Sequence, residues 1–222
     1  MKLSNQTVDV LKNFSTINQN LIIKEGNTLT TMSAMKNIVA KAEVEQTFPK
    51  EVAIYDLNEF LAALSLFTVP VLDFQDQFVI MSEEGSPKKS LKYFYSDPSV
   101  VTSPTKMITM PSSDVTFSIE EDTINQLKRA AGVISSPDMA LQNNSLTVKD
   151  KKNDTANNYS MNVDCDAPEG AEYNFYFKVE NMKLISGNYD VTVSSKNISH
   201  FQNKTSKVEY WIALEPESTY KV

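Results

Sequence analysis

Two acidic runs, one cysteine and one histidine are the residues of this chain whose types and spacing could do chemistry. Glu120-Glu121-Asp122 and Asp164-Cys165-Asp166 cluster hard oxygen donors, as a divalent cation or an acid–base pair would need. The first run opens a predicted helix, "EEDTINQLKRAAGVIS", where carboxylates favour the positive end of the backbone dipole. The second lies in a predicted loop beside a lone thiol, with no third ligand to name. Cys165 is the only cysteine, so no intramolecular disulfide or thiolate cluster can form. His200, the only histidine, sits in the polar stretch "NISHFQNKT" with no carboxylate near it in sequence, and is expected to be a solvated loop residue. No catalytic residue, metal site or cofactor is assigned on these grounds.

The charge balance points away from adhesion to nucleic acid. The formal net charge is −7, and Arg129 is the single arginine among 21 basic residues. Hydrophobic residues at 41% and charged residues at 22% are ordinary for a globular protein with a real core. The chain could form one large domain or two of roughly 100 residues. Its longest apolar run, Phe60 to Leu72, is broken by Ser65, Thr68 and Pro70 and is too short to cross a bilayer. The N-terminus lacks the continuous apolar segment of a signal peptide, so a cytosolic protein with no membrane span is expected.

The elements that must position any site come in an order that occurs twice. "SDPSVVTSPTKMITMPSSD" carries three prolines and no sustained periodicity, and reads as a connector. Before it, Leu3, Thr7, Val10, Leu11, Phe14 and Ile17 share one face of a predicted helix. Strand-like pieces come next, and then "VAIYDLNEFLAALSLF" passes without glycine or proline from strand alternation into helical spacing. In that helix Leu57, Phe60, Leu61 and Leu64 are expected inward, and Asn58, Glu59, Ala62 and Ser65 outward. After the connector, Ile119, Thr123, Leu127, Ala130 and Ile134 form the expected inner face of a third helical stretch. "AEYNFYFKV" then feeds a short predicted helix, "ENMKLIS", stopped at Gly187-Asn188. The expectation is an α+β protein with two topologically similar domains, each an antiparallel sheet structure with two helices. The boundaries are 1–98, a connector at 99–112, and 113–222.

The runs "VAIYDLNEFLAALSL", "NMKLISGNYDV" and "YWIALEPEST", with the start "MKLS…LKNFSTIN" and "DPS" before the connector, resemble the DNA polymerase sliding clamp of T-even-type bacteriophages along essentially the whole chain. The resemblance implies a non-enzymatic processivity factor, a head-to-tail homotrimeric ring of clamp domains around double-stranded DNA, bound without sequence specificity. It implies an ATP-dependent clamp loader, the C-terminal tail of the viral DNA polymerase as partner, and a location in the cytoplasm of the infected bacterial host. A role with late transcription factors is a looser implication of the same resemblance.

Under that reading the DNA-facing candidates are Lys12 on the first helix, Lys128 and Arg129 on the third, Lys183 on the fourth, and Lys2 and Lys178 near helix starts. A second basic position of the family's third helix falls here on Ala131. The resemblance also implies an apolar partner pocket, for which Met107, Ile108 and Met110 of the connector and Ile212, Ala213, Leu214 and Pro216 near the C-terminus are the candidates. A closed ring reconciles the acidic charge with DNA: screening over about 8 Å lets a mildly basic lining act inside while outer carboxylates go unfelt. The rival readings are an enzyme built on the acidic runs, or a β-rich virion protein or peptide-binding adaptor.

Overall fold

Thr7, Val10, Leu11, Phe14 and Ile17 form the buried stripe of α1 (Asn5–Ile17). Ser4 starts that helix, its hydroxyl accepting the Thr7 N–H at 3.2 Å. The computed structural model describes residues 1–222, Pro87 by its backbone alone. It divides into two units, Met1–Lys106 and Met107–Val222.

In the first unit α1 is succeeded by β1 (Leu21–Ile23), β2 (Gly26–Met32), β3 (Ile38–Phe48), β4 (Val52–Ile54), α2 (Leu57–Leu64), β5 (Pro70–Phe74), β6 (Phe78–Glu83) and β7 (Ser86–Phe94). Two antiparallel sheets result, in the orders β3-β2-β1-β4 and β5-β6-β7. The passage from "VAIYD" into α2 needs no glycine because Asp56 stops the strand and starts the helix. Its carboxylate accepts the N–H groups of Asn58 and Glu59 at 2.9 and 3.1 Å. Leu57, Phe60, Ala63 and Leu64 are buried, and Phe60 meets Tyr93 of β7 edge-on at 5.3 Å. Leu61, expected inward, is half-buried, because Ala63 takes the central place on that face.

The second unit contains β8 (Val115–Ile119), α3 (Glu121–Val133), β9 (Asp138–Gln142), β10 (Ser145–Lys149), β11 (Tyr159–Asn162), β12 (Cys165–Asp166), β13 (Glu172–Lys178), β14 (Tyr189–Ser194), β15 (Ile198–Asn203), β16 (Val208–Ala213) and β17 (Thr219–Lys221). Its antiparallel sheets run β12-β8-β14-β15-β16 and β11-β10-β9-β13-β17. The inner face of α3 is Ile124, Leu127 and Ala131; Thr123, Ala130 and Ile134, expected at its centre, flank it half-buried.

The fold is α+β with antiparallel sheets, but the second unit has one α-helix among its described residues where two were expected. "ENMKLIS" holds only a 3-10 turn, Val179–Asn181. The physical reason lies in the residues that receive the next backbone groups. Ile185 donates its N–H to the Tyr210 hydroxyl and accepts the Tyr189 hydroxyl, so both groups are withdrawn from any helical ladder. Gly187 does sit at positive φ, +137°, but it turns an irregular segment rather than ending a helix.

Candidate nucleic-acid interface

The solvent faces of the three helices are short of charge. Asn5, Gln6, Asp9, Lys12 and Thr16 are exposed on α1; Asn58, Glu59 and Ala62 on α2; Asp122, Asn125, Gln126, Lys128 and Arg129, with Gly132 and Val133, on α3. Three cations thus stand against three carboxylates, among amides and a hydroxyl. Lys12 lies 3.3 Å from Asp9 of the preceding turn, an exposed pair that largely cancels at long range. Among the described residues, Lys128 and Arg129, adjacent on the outer side of α3, are the one place where two cations coincide on an α-helix face. Ala131 is 5% exposed and belongs to the core, so this position adds nothing to the outer face of α3.

The local build of α3 determines where those two cations point. Glu120 precedes the helix without a capping bond of its own. Asn188 substitutes for it: its side-chain oxygen accepts the Glu121 N–H at 2.9 Å from the segment that replaces the fourth helix. Glu121 and Asp122 occupy the first turn, the helix-start role expected of that acidic run. Ile124 and Leu127, with Met139, Val148 and Met182, line an apolar hollow beneath the helix, and Lys128, though exposed, borders it.

The remaining predicted lysines serve other ends. Lys2 is paired with Glu84, both about half exposed. Lys183 is half-buried and donates its backbone N–H to the Asn181 carbonyl at 2.8 Å. Lys178 is not at the start of an α-helix, since only the 3-10 turn comes after it. Its ammonium lies 2.6 Å from Asp138, whose side chain is 1% exposed, and 3.6 Å from Glu215. Lys151, with a side chain 7% exposed, joins the same network at 2.8 Å from Glu215 and 2.9 Å from Glu217. The hydrogen bond to Asp138 holds the Lys178 ammonium above the usual lysine range. Burial works against charge on Lys151, yet its bonds to Glu215 and Glu217 outweigh it and raise it too. This network fastens the ends of β9 and β13 to the C-terminal segment, and Lys178 is committed to it.

The apolar candidates divide in the same way. Met107 is 50% exposed and Pro216 is exposed, while Ile108, Met110 and Ala213 are partly covered. Ile212 on β16, at 0% exposure, and Leu214 just past its end, at 5%, are core residues. They cannot touch a partner in this arrangement.

His200 is not a loop residue. It lies on β15, its Nε2 3.0 Å from a Glu209 carboxylate oxygen and its ring stacked on Trp211 at 4.8 Å. Both partners come from β16, nine and eleven positions away, which is why the local sequence showed no carboxylate. Of the second acidic run, Cys165 and Asp166 form the short strand β12, and Asp164 lies in the loop before it. Asp164 and Asp166 share a shallow cleft with Asp190, whose carboxylate is already held by Ser118 at 2.6 Å and Lys204 at 3.0 Å.

A family model described as DNA polymerase processivity factor matches residues 2–70, and one described as gp45 sliding clamp, C terminal, matches residues 114–216. The chain is 30% identical over 224 residues to the sliding clamp of Vibrio phage KVP40, spanning 97% of this chain and 99% of that protein. The chain belongs to the sliding clamp family. The sliding clamp of Enterobacteria phage T4 is likewise 30% identical, over 99% of both chains. Among solved structures, A. fulgidus PCNA, bound to the C-terminal region of FEN-1, superposes on this clamp with a TM-score of 0.70, covering 98% of each chain at 12% identity. PCNA from Thermococcus kodakaraensis gives 0.69 at 13% identity, over 95% of this clamp and 96% of that chain. At such identities the likeness concerns the fold. No helix of this clamp is long and apolar enough to cross a membrane.

Proposed function

We propose that this clamp is a non-catalytic processivity factor that encircles duplex DNA as a head-to-tail homotrimer and tethers the viral replicative polymerase. The observation that carries the reading is the near neutrality of the helix faces. A protein that gripped DNA by adhesion would need several uncompensated cations, and its affinity would fall steeply with salt. Here only Lys128 and Arg129, among the described residues of the helix faces, meet that description, so retention comes from topology, and a face of amides and hydroxyls permits sliding. Indifference to base sequence belongs to the same reading, because a clamp held by topology needs no contacts to base edges.

Two sheet edges support head-to-tail closure. In β5-β6-β7 the β5 edge is occupied by Met1, whose ammonium donates to the Leu72 carbonyl at 2.6 Å and whose carbonyl accepts the Leu72 N–H at 2.7 Å. The opposite edge, β7, runs nine residues with no strand beyond it among the described residues. In the second unit the sheet β11-β10-β9-β13-β17 ends on the four-residue β11 at one side and the three-residue β17 at the other. Open edges are templates for pairing, and a heterologous joint requires two different surfaces of the subunit. An antiparallel β7–β11 joint satisfies both conditions.

An ATP-dependent loader places the ring on primed DNA, in the cytoplasm of the infected host. Met107, Ile108, Met110, Ala213 and Pro216 are the apolar residues accessible to the polymerase tail. Late transcription factors using the same surface remain the secondary role.

The test is retention after loading on a nicked circle. Linearising the circle should release the clamp within the time needed to slide off an end, whereas an intact circle keeps it. Equal retention on both would overturn encirclement.

A further inference from the structure

The open edge of β7 is lined with lysine. Lys88, Lys89 and Lys92 are exposed, and none is paired with a carboxylate among the described residues. The Lys92 ammonium sits over the Phe78 ring of β6, 4.6 Å from its centroid, so Lys88 and Lys89 are the cations left in the first half of the strand. Charged edges resist unwanted pairing. Two copies of β7 overlapped antiparallel about Ser90 would set each Lys88 opposite the other copy's Lys92, and like charges directly opposite are destabilising. The β17 edge would bring Lys221, a further exposed lysine. Beside β11, by contrast, stands Asp164: it is exposed, lies just past the end of the strand at Asn162, and has no cation paired with it among the described residues.

The two faces of each strand select a register. In β7, Leu91 lies opposite the buried Met81 and Tyr93 meets Phe60, so both turn toward the α2 side, and Lys88, Ser90 and Lys92 face the other way. In β11, Met161 and Tyr159 lie opposite the buried Leu146 and Val148, and the Tyr159 hydroxyl is 3.4 Å from Gln126 of α3, so Ser160 and Asn162 turn away from the helix. A ring that keeps its helices on one side must match these faces. Setting Leu91 opposite Met161 does so: Tyr93 then meets Tyr159, Lys92 meets Ser160 and Ser90 meets Asn162. A shift toward the start of β7 would put Lys89 on Met161 instead, and a shift the other way would carry Tyr159 past the end of β7. In the matched register the chain leaving β11 brings Asp164 to Lys88.

We infer that Lys88 of one copy pairs with Asp164 of the next in this register, so that the lysines of β7 admit the β11 edge of a neighbouring copy and turn away β7 and β17. The inference rests on the head-to-tail ring proposed above. It makes the joint directional by charge, since the same lysines that attract Asp164 repel the other free edges.

Charge reversal and cross-linking separate the pair from the ring. Lys88→Glu and Asp164→Lys, each alone, should raise the apparent subunit dissociation constant about three- to tenfold by sedimentation equilibrium at low salt, and by much less at about 1 M salt, where charges are screened within about 3 Å. The double exchange Lys88→Glu with Asp164→Lys should recover most of the loss, which misfolding would not allow. In a Cys165→Ser background, Leu91→Cys with Met161→Cys should form disulfide-linked multimers faster than Lys89→Cys with Met161→Cys. If the unaltered protein sediments as a monomer or a dimer at all concentrations, the ring reading fails and this inference with it. If it forms a trimer that neither reversal weakens, in which the double exchange adds the two losses, or that cross-links faster through Lys89→Cys, the Lys88–Asp164 pair and its register alone are overturned.

Discussion

The backbone N–H of Ile185 is donated to the buried Tyr210 hydroxyl at 3.1 Å, while the Tyr189 hydroxyl donates to the Ile185 carbonyl at 2.5 Å. In a helix these two groups would have served residues four positions away on either side. Two tyrosines from β14 and β16 instead hold the chain in an irregular path, and that path carries Asn188 to the start of α3. Burial pushes the Tyr189 hydroxyl up to about 12 and raises Tyr210 further, so both remain protonated donors or acceptors across the ordinary pH range.

Tyr210→Phe should therefore cost about 1–3 kcal/mol, the penalty of leaving the Ile185 N–H unsatisfied, and lower Tm by several degrees in thermal unfolding. Tyr189→Phe should fall in the same range. Loss of protection at the α3 amides in hydrogen exchange, ahead of the β13–β9 amides, would show that the effect passes through Asn188. Wild-type stability in both variants would mean that the hydroxyls are incidental.

Gly187 makes the same segment possible. At φ +137° an L side chain is strained, and a Cβ built there would lie 2.5 Å from the Asn203 side-chain nitrogen. Asn203 is itself in use, its oxygen accepting the Thr205 and Ser206 N–H groups at 3.0 and 2.9 Å. Gly187→Ala should destabilise by more than about 1 kcal/mol in denaturant unfolding, in contrast to the gain expected of glycine replacement at compatible sites. Gly132 offers the control: it lies inside α3 with open space around its Cβ position, so Gly132→Ala should stabilise by roughly 0.5–1 kcal/mol.

How much of this was legible depends on where each signal resides. The α1 face could be read because its five buried residues repeat at a period that only a helix uses. The Asp56 start of α2 and the acidic first turn of α3 are likewise local. The fate of "ENMKLIS" was not, since its helical spacing is real but Tyr189 and Tyr210 compete for its backbone from later strands. β5 was not legible because it begins at Pro70, at the very end of the Phe60–Leu72 apolar run, and β15 because Ser199, His200 and Gln202 make it look like a loop. Among the candidate site residues, Lys178 looked like any exposed lysine until Asp138 arrived from β9. Ile212 and Leu214 looked like pocket lining because hydrophobicity alone does not say that β16 is covered on both faces around Tyr210, Trp211 and Ile212.

The Asp138–Lys178–Glu215–Lys151 network should give the protein a distinct alkaline limit. Both lysines have ammonium groups held above their ordinary 10.5 by their carboxylates, so their contribution is complete below that pH and disappears as pH climbs through the raised values. Tyr93, Tyr95 and Tyr189, each pushed up to about 12 chiefly by burial, act in the same direction, because the unfolded chain ionises first. Stability should decline from about pH 10 upward. Lys178→Met should lower stability at about pH 8 by leaving buried Asp138 without its main cation, at a cost of about 3 kcal/mol. It should also flatten the alkaline decline, and an unchanged slope would assign that decline to the tyrosines alone.

The cations of α3 give the sharpest separation between adhesion and encirclement. Both are exposed, so Lys128→Gln with Arg129→Gln should leave thermal stability within about 0.5 kcal/mol of the parent. Each removed phosphate contact should reduce the slope of log affinity against log salt by about 0.9, so direct association with a short linear duplex should lose nearly two in slope. Under the encirclement proposal, residence of the loaded clamp on a closed circle should change little, because topology and not these two contacts retains it. If instead the double exchange frees the clamp from intact circles as fast as from cut ones, these two side chains hold the DNA by contact, and the neutral faces of α1 and α2 lose their explanation.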